Sequence, residues 1–369
     1  MSRATDLCDR FGYPDEFASI LDEVAQLATR HLGADVGVVL SPSVSTGDFL
    51  WRRRGGAIEF LSDVDGFVFT EAPPEKVSRF EADLERLSSA RSDPFFELDF
   101  SYVTNARLGH LPESYQMVET GLSGFELVGE GRLAGFPKRF DPRASRQSVL
   151  LNLWKPLSSD DPDALPRNLA RSLLDIPLIA TSESGTCRPG HRARAEAFLA
   201  KPPPAFAAAP ELEAAVRLAL EARHAPPGDG AALAQVVIPA LRTLLARIDG
   251  GGAIPDVPDA ALVRRFSSWL PSRPPRRLLG ELRSALRRPG LPWRDIAWWV
   301  KRKEALGAAA CWGLLVHRFG GAPLAESTLA CLADFARAPQ IEPSAADLLD
   351  RAREQYRAGF LQLYPSRER

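Results

Sequence analysis

Cysteine is scarce and scattered in this chain of 369 residues: Cys8, Cys187, Cys311 and Cys331 are the four, and no two form a CxxC pair. That pattern excludes a disulfide framework and a thiolate zinc site. The five histidines, His110 and His191 among them, are equally dispersed and show no metal-ligand spacing. No apolar run approaches the length that spans a bilayer without a charge, so no membrane helix is expected. Asp6, Asp9, Asp15 and Glu16 stand where a signal peptide needs an apolar core, so the expected compartment is the cytoplasm. Charge of one sign is also lacking: 46 Lys and Arg face 47 Asp and Glu, for a formal net charge of −1. Nothing global therefore draws the chain to nucleic acid or membrane. There is no GxSxG elbow, and Ser182, Ser184 and Cys187 sit in a loop-like TSESGTCRPG that reads as a helix connection.

What is present suits a globular protein of more than one domain, with 45% hydrophobic and 25% charged residues. Its Ala, Arg and Pro richness suits a GC-rich bacterial genome. Residues 14–32 repeat apolar side chains at helical spacing, with Pro14 at the start and Gly33 as a stop. Val36 to Leu40 reads as a buried strand, 41–48 as a polar turn, and 49–57, with Arg52, Arg53, Arg54 and Gly55-Gly56, as a hairpin-like excursion. A second strand is expected over 58–70, a helix over 74–90, a third strand over 95–103, and a strand and turn within 125–135. Helices are expected at 143–155, 164–180 and 189–201. KPPPAFAAAP at 201–210 reads as a semi-rigid linker. Helical periodicity then continues through 211–223, 231–248, 259–270, 276–288, 292–318, 324–337 and 344–362. The expectation is an α+β fold: a small mixed sheet with flanking helices in 1–140, a helical extension on it in 141–200, the linker, and an all-helical domain in 211–369.

The chemistry sits in SPSVSTGDF, EFLSDVDGFVF and FFELDFSYV. Along a strand, residues two apart share a face, so Asp63 and Asp65 project together. If the strand of Asp99 pairs beside theirs, its carboxylate reaches the same spot, with Glu97 beside it. Clustered carboxylates repel, and a hard divalent cation relieves this. The three stretches resemble the polymerase-beta-like nucleotidyltransferases, which carry a Gly-Ser turn and a second glycine, then Asp-x-Asp on the next strand, then a third carboxylate. Here Pro42-Ser43 and Gly47-Asp48 stand at the turn, and the order helix, strand, turn, strand, helix, strand agrees over about 14–104. The resemblance implies transfer of a nucleoside monophosphate from a nucleoside triphosphate, ATP first among them, to an acceptor hydroxyl on a small molecule or a protein.

It implies two Mg²⁺ ions held by Asp63 and Asp65, with Asp99 contacting the ion near the acceptor and helping deprotonate its hydroxyl. Ser43, with Ser45, Thr46, Gly47 and the turn amides, would hold triphosphate oxygens. It also places a lysine or arginine of the following helices toward the nucleotide, Arg146 and Lys155 being candidates beside the plainer reading of surface charge. Two departures stand out: Pro42 in place of glycine, and twenty residues from Ser43 to Asp63, lengthened by the 51–56 excursion. Pro42 supports an alternative, a degenerate nucleotidyltransferase fold used for binding or scaffolding. A further alternative, an RNA-binding or tailing protein, rests on 264–303. There twelve lysines and arginines face Glu281 and Asp295, with Trp269, Trp293, Trp298 and Trp299 interleaved. The plain reading beside it makes the tryptophans core.

Overall fold

The computed structural model describes residues 2–91, 93, 96–157, 164–224, 230–250, 252–270 and 293–336. The fold is α+β, a mixed four-stranded sheet with helices in the N-terminal part and a largely helical remainder. Two compact units emerge: 1–140 groups with 188–194, and 141–187 groups with the described chain from Ala195 onward.

The first unit opens with α1 (Arg3–Phe11), whose N-cap Ser2 accepts the Thr5 amide and whose C-cap is Gly12. Then comes α2 (Asp15–Leu32), with Pro14 at its N-cap and Gly33 at its C-cap. Strand β1 (Gly37–Leu40) is buried throughout and leads into a four-residue helix, α3 (Pro42–Ser45). The polar run read as a turn is therefore one helical turn. Strands β2 (Trp51–Arg54) and β3 (Ala57–Phe60) form a hairpin through Gly55-Gly56. After β4 (Val64–Phe69) come α4 (Pro74–Ser89), β5 (Leu98–Val103), α5 (Tyr115–Ser123) and β6 (Phe125–Val128).

The sheet runs β5-β4-β1-β6. Strand β1 pairs antiparallel with β4 and β6, while β4 pairs parallel with β5. The single strand expected over 58–70 is two strands in two sheets. The Leu61 amide bonds the Leu50 carbonyl at 2.9 Å and the Ser62 hydroxyl takes the Leu50 amide at 3.2 Å, closing the hairpin base before β4 joins the main sheet. Strand alternation divides the side chains between two cores. Val38, Leu40, Val64, Val68, Leu98 and Phe100 pack with residues of α1, α2 and α4 on one face. Val39, Phe67, Phe69 and Val103 pack with Leu111, Met117 and Phe136 on the other.

The second unit is helical: α6 (Pro142–Asn152), α7 (Leu165–Leu173), α8 (Asp175–Glu183), α9 (His191–Ala200, of which 191–194 belong to the first unit), α10 (Pro210–His224), α11 (Ala231–Arg247) and α12 (Ala260–Trp269), then helices over Trp293–Gly320 and Glu326–Ala336. The stretch expected as one helix over 164–180 breaks at Leu174, which closes α7 and precedes α8. Within the Pro-rich stretch 201–210, Phe206 and Ala209 lie in the core of this unit. Trp154, Trp269 and Trp312 are buried there too, and the Trp312 indole donates to the Pro255 carbonyl at 2.7 Å. That bond supplies the polar partner a buried indole needs. The segments 276–288 and 344–362 lie outside the described residues. No helix searched among those described is long and apolar enough to cross a membrane.

Candidate active site

The acids follow from the strand register. Asp65 and Asp99 are Cα partners across the parallel β4/β5 pair, and Asp63 stands one residue before β4 begins. Neighbouring strands lie about 4.8 Å apart, so the carboxylates of Asp65 and Asp99 start from adjacent backbone positions on one face. Alternation puts them on the side of Phe67, Phe69 and Val103. That side is apolar toward the ends of β4 and β5, where it packs with Met117, Leu111 and Phe136. Toward the strand beginnings it carries Asp65, half-buried, and Asp99, exposed. Glu97 is exposed, precedes β5, and its carbonyl takes the Val64 amide at 2.8 Å.

The turn is delivered to the same place. Where β1 ends, both the amide and the hydroxyl of Ser41 donate to the carbonyl of Asp65, at 2.8 and 2.9 Å. Pro42 then occupies the first helical position of α3, where an amide would have no intrahelical partner. The ring is thus accommodated without strain, although it offers no N–H to a ligand. The Ser43 hydroxyl is buried and has no hydrogen-bond partner among the described residues. The other two hydroxyls brace the turn: Ser45 donates to the Ser123 carbonyl, and Thr46 to the Pro42 carbonyl at 2.7 Å and to Asp48 at 3.0 Å. Gly47 has φ +78°, a conformation L side chains rarely adopt.

Around this turn lies a buried network with no signal in local spacing. Asp48, 2% exposed, accepts the amides of His191 at 2.6 Å and Arg192 at 3.1 Å. Glu119 of α5 accepts the Gly190 amide at 2.9 Å and pairs with Arg194, whose side chain is fully buried. Arg194 also donates to the Arg188 carbonyl at 3.1 Å and lies 5.3 Å from the Tyr115 ring centroid. Sequence reading passed over Glu119 and Arg194. An ionisable residue inside an apolar helical pattern, as Glu119 is in QMVETGL, was the available hint.

Other expected groups have structural partners. Arg52 binds Glu59 across the hairpin at 2.6 Å, and this hydrogen bond holds the Glu59 carboxyl below its ordinary range. Arg53 and Arg54 are exposed. Arg146 forks onto Glu183 at 2.6 and 2.9 Å, and Lys155 begins a short 3-10 helix. Ser182 lies in the last turn of α8, one residue before its end, and meets the Ser145 hydroxyl at 2.8 Å, while Ser184 donates back to the Ala180 carbonyl. His110 is exposed. Of the basic region, Trp269 is core, and Arg265 donates to the carbonyl of Leu245 in the last turn of α11 and to those of Ile248 and Gly252 beyond it. Arg276, Arg277 and the rest of 271–292 lie outside the described residues.

The donor set of Asp63, Asp65 and Asp99 is all oxygen, the kind a hard divalent cation takes. The backbone positions suit such an ion. As the side chains stand, no group of three His, Cys, Asp or Glu among the described residues forms a metal cage, and each of the three aspartates has further interactions of its own. No known family model and no curated protein sequence matches this chain.

Proposed function

We propose that the N-terminal unit binds a nucleoside triphosphate with Mg²⁺ and transfers its nucleoside monophosphate to an acceptor hydroxyl. The observation that carries this reading is the junction of β1, β4 and β5: Asp65 and Asp99 at paired positions, Asp63 two residues before Asp65, and the Ser41 hydrogen bonds that set α3 against the Asp65 backbone. Like charges directly opposite on neighbouring strands destabilise a sheet, so keeping them implies a use. Divalent cations bound there would neutralise triphosphate charge and polarise the α-phosphoryl group. Asp63, Asp65 and Asp99 would hold them. Asp99, the most exposed of the three, would accept the proton from the acceptor hydroxyl. The acceptor oxygen then forms a bond to the α-phosphorus as the bond from that phosphorus to the bridging oxygen breaks, and pyrophosphate leaves. The Ser43 hydroxyl and the amides of 43–47 would orient the outgoing phosphates.

A second reading, a degenerate site that binds without turnover, is favoured by the missing amide at Pro42 and by the absence of a formed three-acid cage among the described residues. One experiment separates them. Calorimetry with the four common nucleoside triphosphates and Mg²⁺ should show binding of at least one, and pyrophosphate release should follow on presentation of acceptors. Asp63→Asn and Asp65→Asn should abolish both turnover and the Mg²⁺ dependence while the protein stays folded. Binding without release under any acceptor, or no binding by wild type where Pro42→Gly binds, supports the degenerate fold, and no binding by either protein refutes the transferase reading.

A further inference from the structure

We propose that Asp48 is the positioning residue of the triphosphate turn, acting as a latch that fixes 42–47 to the distant segment 188–194. The inference rests on the nucleotidyltransferase reading of that turn. Asp48 immediately follows the turn and is buried, with both carboxylate oxygens engaged. Oδ2 accepts the His191 amide at 2.6 Å and the Thr46 hydroxyl at 3.0 Å, and Oδ1 accepts the Arg192 amide at 3.1 Å. One side chain thus caps the start of α9 and grips the last residue before Gly47. A carboxylate suits both tasks, since it offers only acceptors and the helix start carries partial positive charge.

The far side of the latch is shaped to receive it. Gly190 has φ +86°, and a Cβ there would lie 2.8 Å from Asp48 Oδ2 and 2.9 Å from Thr46 Oγ1. Any side chain at 190 would wedge the two segments apart. The Gly190 amide is held by Glu119, which is itself held by buried Arg194, so 190–194 forms a fixed platform. On the near side, Ser45 is tied to the Ser123 carbonyl at the end of α5, the helix that carries Glu119. The turn that would meet the β- and γ-phosphates is therefore clamped at Ser45 and at Thr46-Asp48, leaving the Ser43 hydroxyl unengaged. A turn whose amides are already aimed loses little freedom on binding phosphate, which is how preorganisation raises affinity. Without the latch, the contacts of a ligand's outer phosphates weaken while those of its nucleoside and α-phosphate do not.

The test compares wild type, Asp48→Asn, which keeps one acceptor oxygen, and Asp48→Ala. Amide hydrogen exchange is measured without nucleotide on peptides covering 42–47 and 188–194. Both segments should exchange faster in Asp48→Ala, with Asp48→Asn between it and wild type. Binding of a nucleoside triphosphate and of the matching monophosphate is then measured with Mg²⁺. Triphosphate affinity should fall about tenfold in Asp48→Ala, equivalent to about 1.4 kcal/mol, with monophosphate affinity unchanged. Equal loss of both ligands would assign Asp48 a merely structural role and overturn the proposal, as would unchanged exchange in 42–47. Should Asp48→Ala not fold, Asp48→Asn carries the same comparison. Failure of wild type to bind any triphosphate would refute the nucleotide reading, and the exchange result alone would then decide whether Asp48 fixes the turn.

Discussion

Removing Glu119 should destabilise the first unit far more than its position in a short amphipathic helix suggests. In Glu119→Ala the guanidinium of Arg194, whose side chain is fully buried, keeps its charge and loses its carboxylate. Among its other contacts, the Arg188 carbonyl, His191 Nδ1 at 3.3 Å and the Tyr115 ring offer dipoles rather than a full charge. The Gly190 amide loses its acceptor in the same step. Breaking a buried pair by deleting one partner typically costs about 3–5 kcal/mol. That is a large part of a domain's usual stability of about 5–15 kcal/mol. An internal control is available in Arg3–Glu130 at 2.5 Å, where the glutamate side chain is 82% exposed. Glu130→Ala should cost no more than about 1 kcal/mol, because solvent screens such pairs. Replacing both buried partners, Glu119→Leu with Arg194→Met, should recover much of the loss, since no buried charge is then stranded. Urea unfolding read through hydrogen exchange of the peptide containing 64–69 reports the first unit alone. If Glu119→Ala costs no more than Glu130→Ala, the burial argument is wrong.

Three further outcomes are expected. Gly66→Ala would place a Cβ 2.5 Å from the Phe100 ring and 2.8 Å from the Val39 carbonyl, so it should cost about 1–3 kcal/mol in urea unfolding and disturb the pairing of Asp65 with Asp99. The Cys8 thiol is pushed up to about 12, first by burial and then by Asp9, Asp22 and Asp15, so the native protein should resist alkylation at Cys8 at pH 8.5 and the urea-unfolded chain should not. Because the fold holds that proton more tightly than the open chain, its contribution to stability is complete below pH 9 and lost as pH rises toward 12, which a pH series of unfolding midpoints measures. Pro42→Gly restores an amide donor but frees the backbone, so triphosphate affinity in calorimetry should be no weaker than wild type, while the melting temperature falls slightly.

How much of this was legible depended on the range of the interactions involved. Helix α2 announced itself because Phe17, Ile20, Leu21, Val24 and Leu27 form one apolar stripe and become one buried face. Helix α1 did not, because only Ala4, Leu7 and Cys8 are buried and its stability comes from packing on α2 and from the Ser2 cap. The 58–70 run reads as one strand because Ile, Phe, Leu and Val recur along it with no proline to interrupt them. Nothing local reports that Leu50 captures both Leu61 and Ser62 and so ends one sheet before the next begins. At the site, Asp63 and Asp65 were readable from period-two spacing. Placing Asp99 opposite Asp65 needed the parallel register that the structure supplies. The long-range bonds of Asp48, Glu119 and Arg194 span 71 to 144 residues, and no periodicity encodes such a pairing.

These separations bear on how the site would tolerate its unusual residue. A glycine before Ser43 would give the turn freedom, and the turn would then need its ligand to shape it. With Pro42 the backbone is fixed from the start: φ is set by the ring, the missing amide falls where α3 has no bond to make, and the Pro42 carbonyl takes both the amide and the hydroxyl of Thr46 at 2.9 and 2.7 Å. The same Thr46 hydroxyl reaches Asp48, and Asp48 reaches α9. Rigidity at the first residue of the turn is therefore continued by contacts at its last. One donor is lost, and in exchange the remaining amides stand in a conformation that costs little to hold. On this argument the proline belongs with the latch, and the two should be coupled. Pro42→Gly in the Asp48→Ala background should loosen the turn more than the two single changes add up to, as a double-mutant cycle on exchange rates in 42–47 would show. Strict additivity there would separate the proline from the latch and leave Pro42 as a local accommodation at the end of β1.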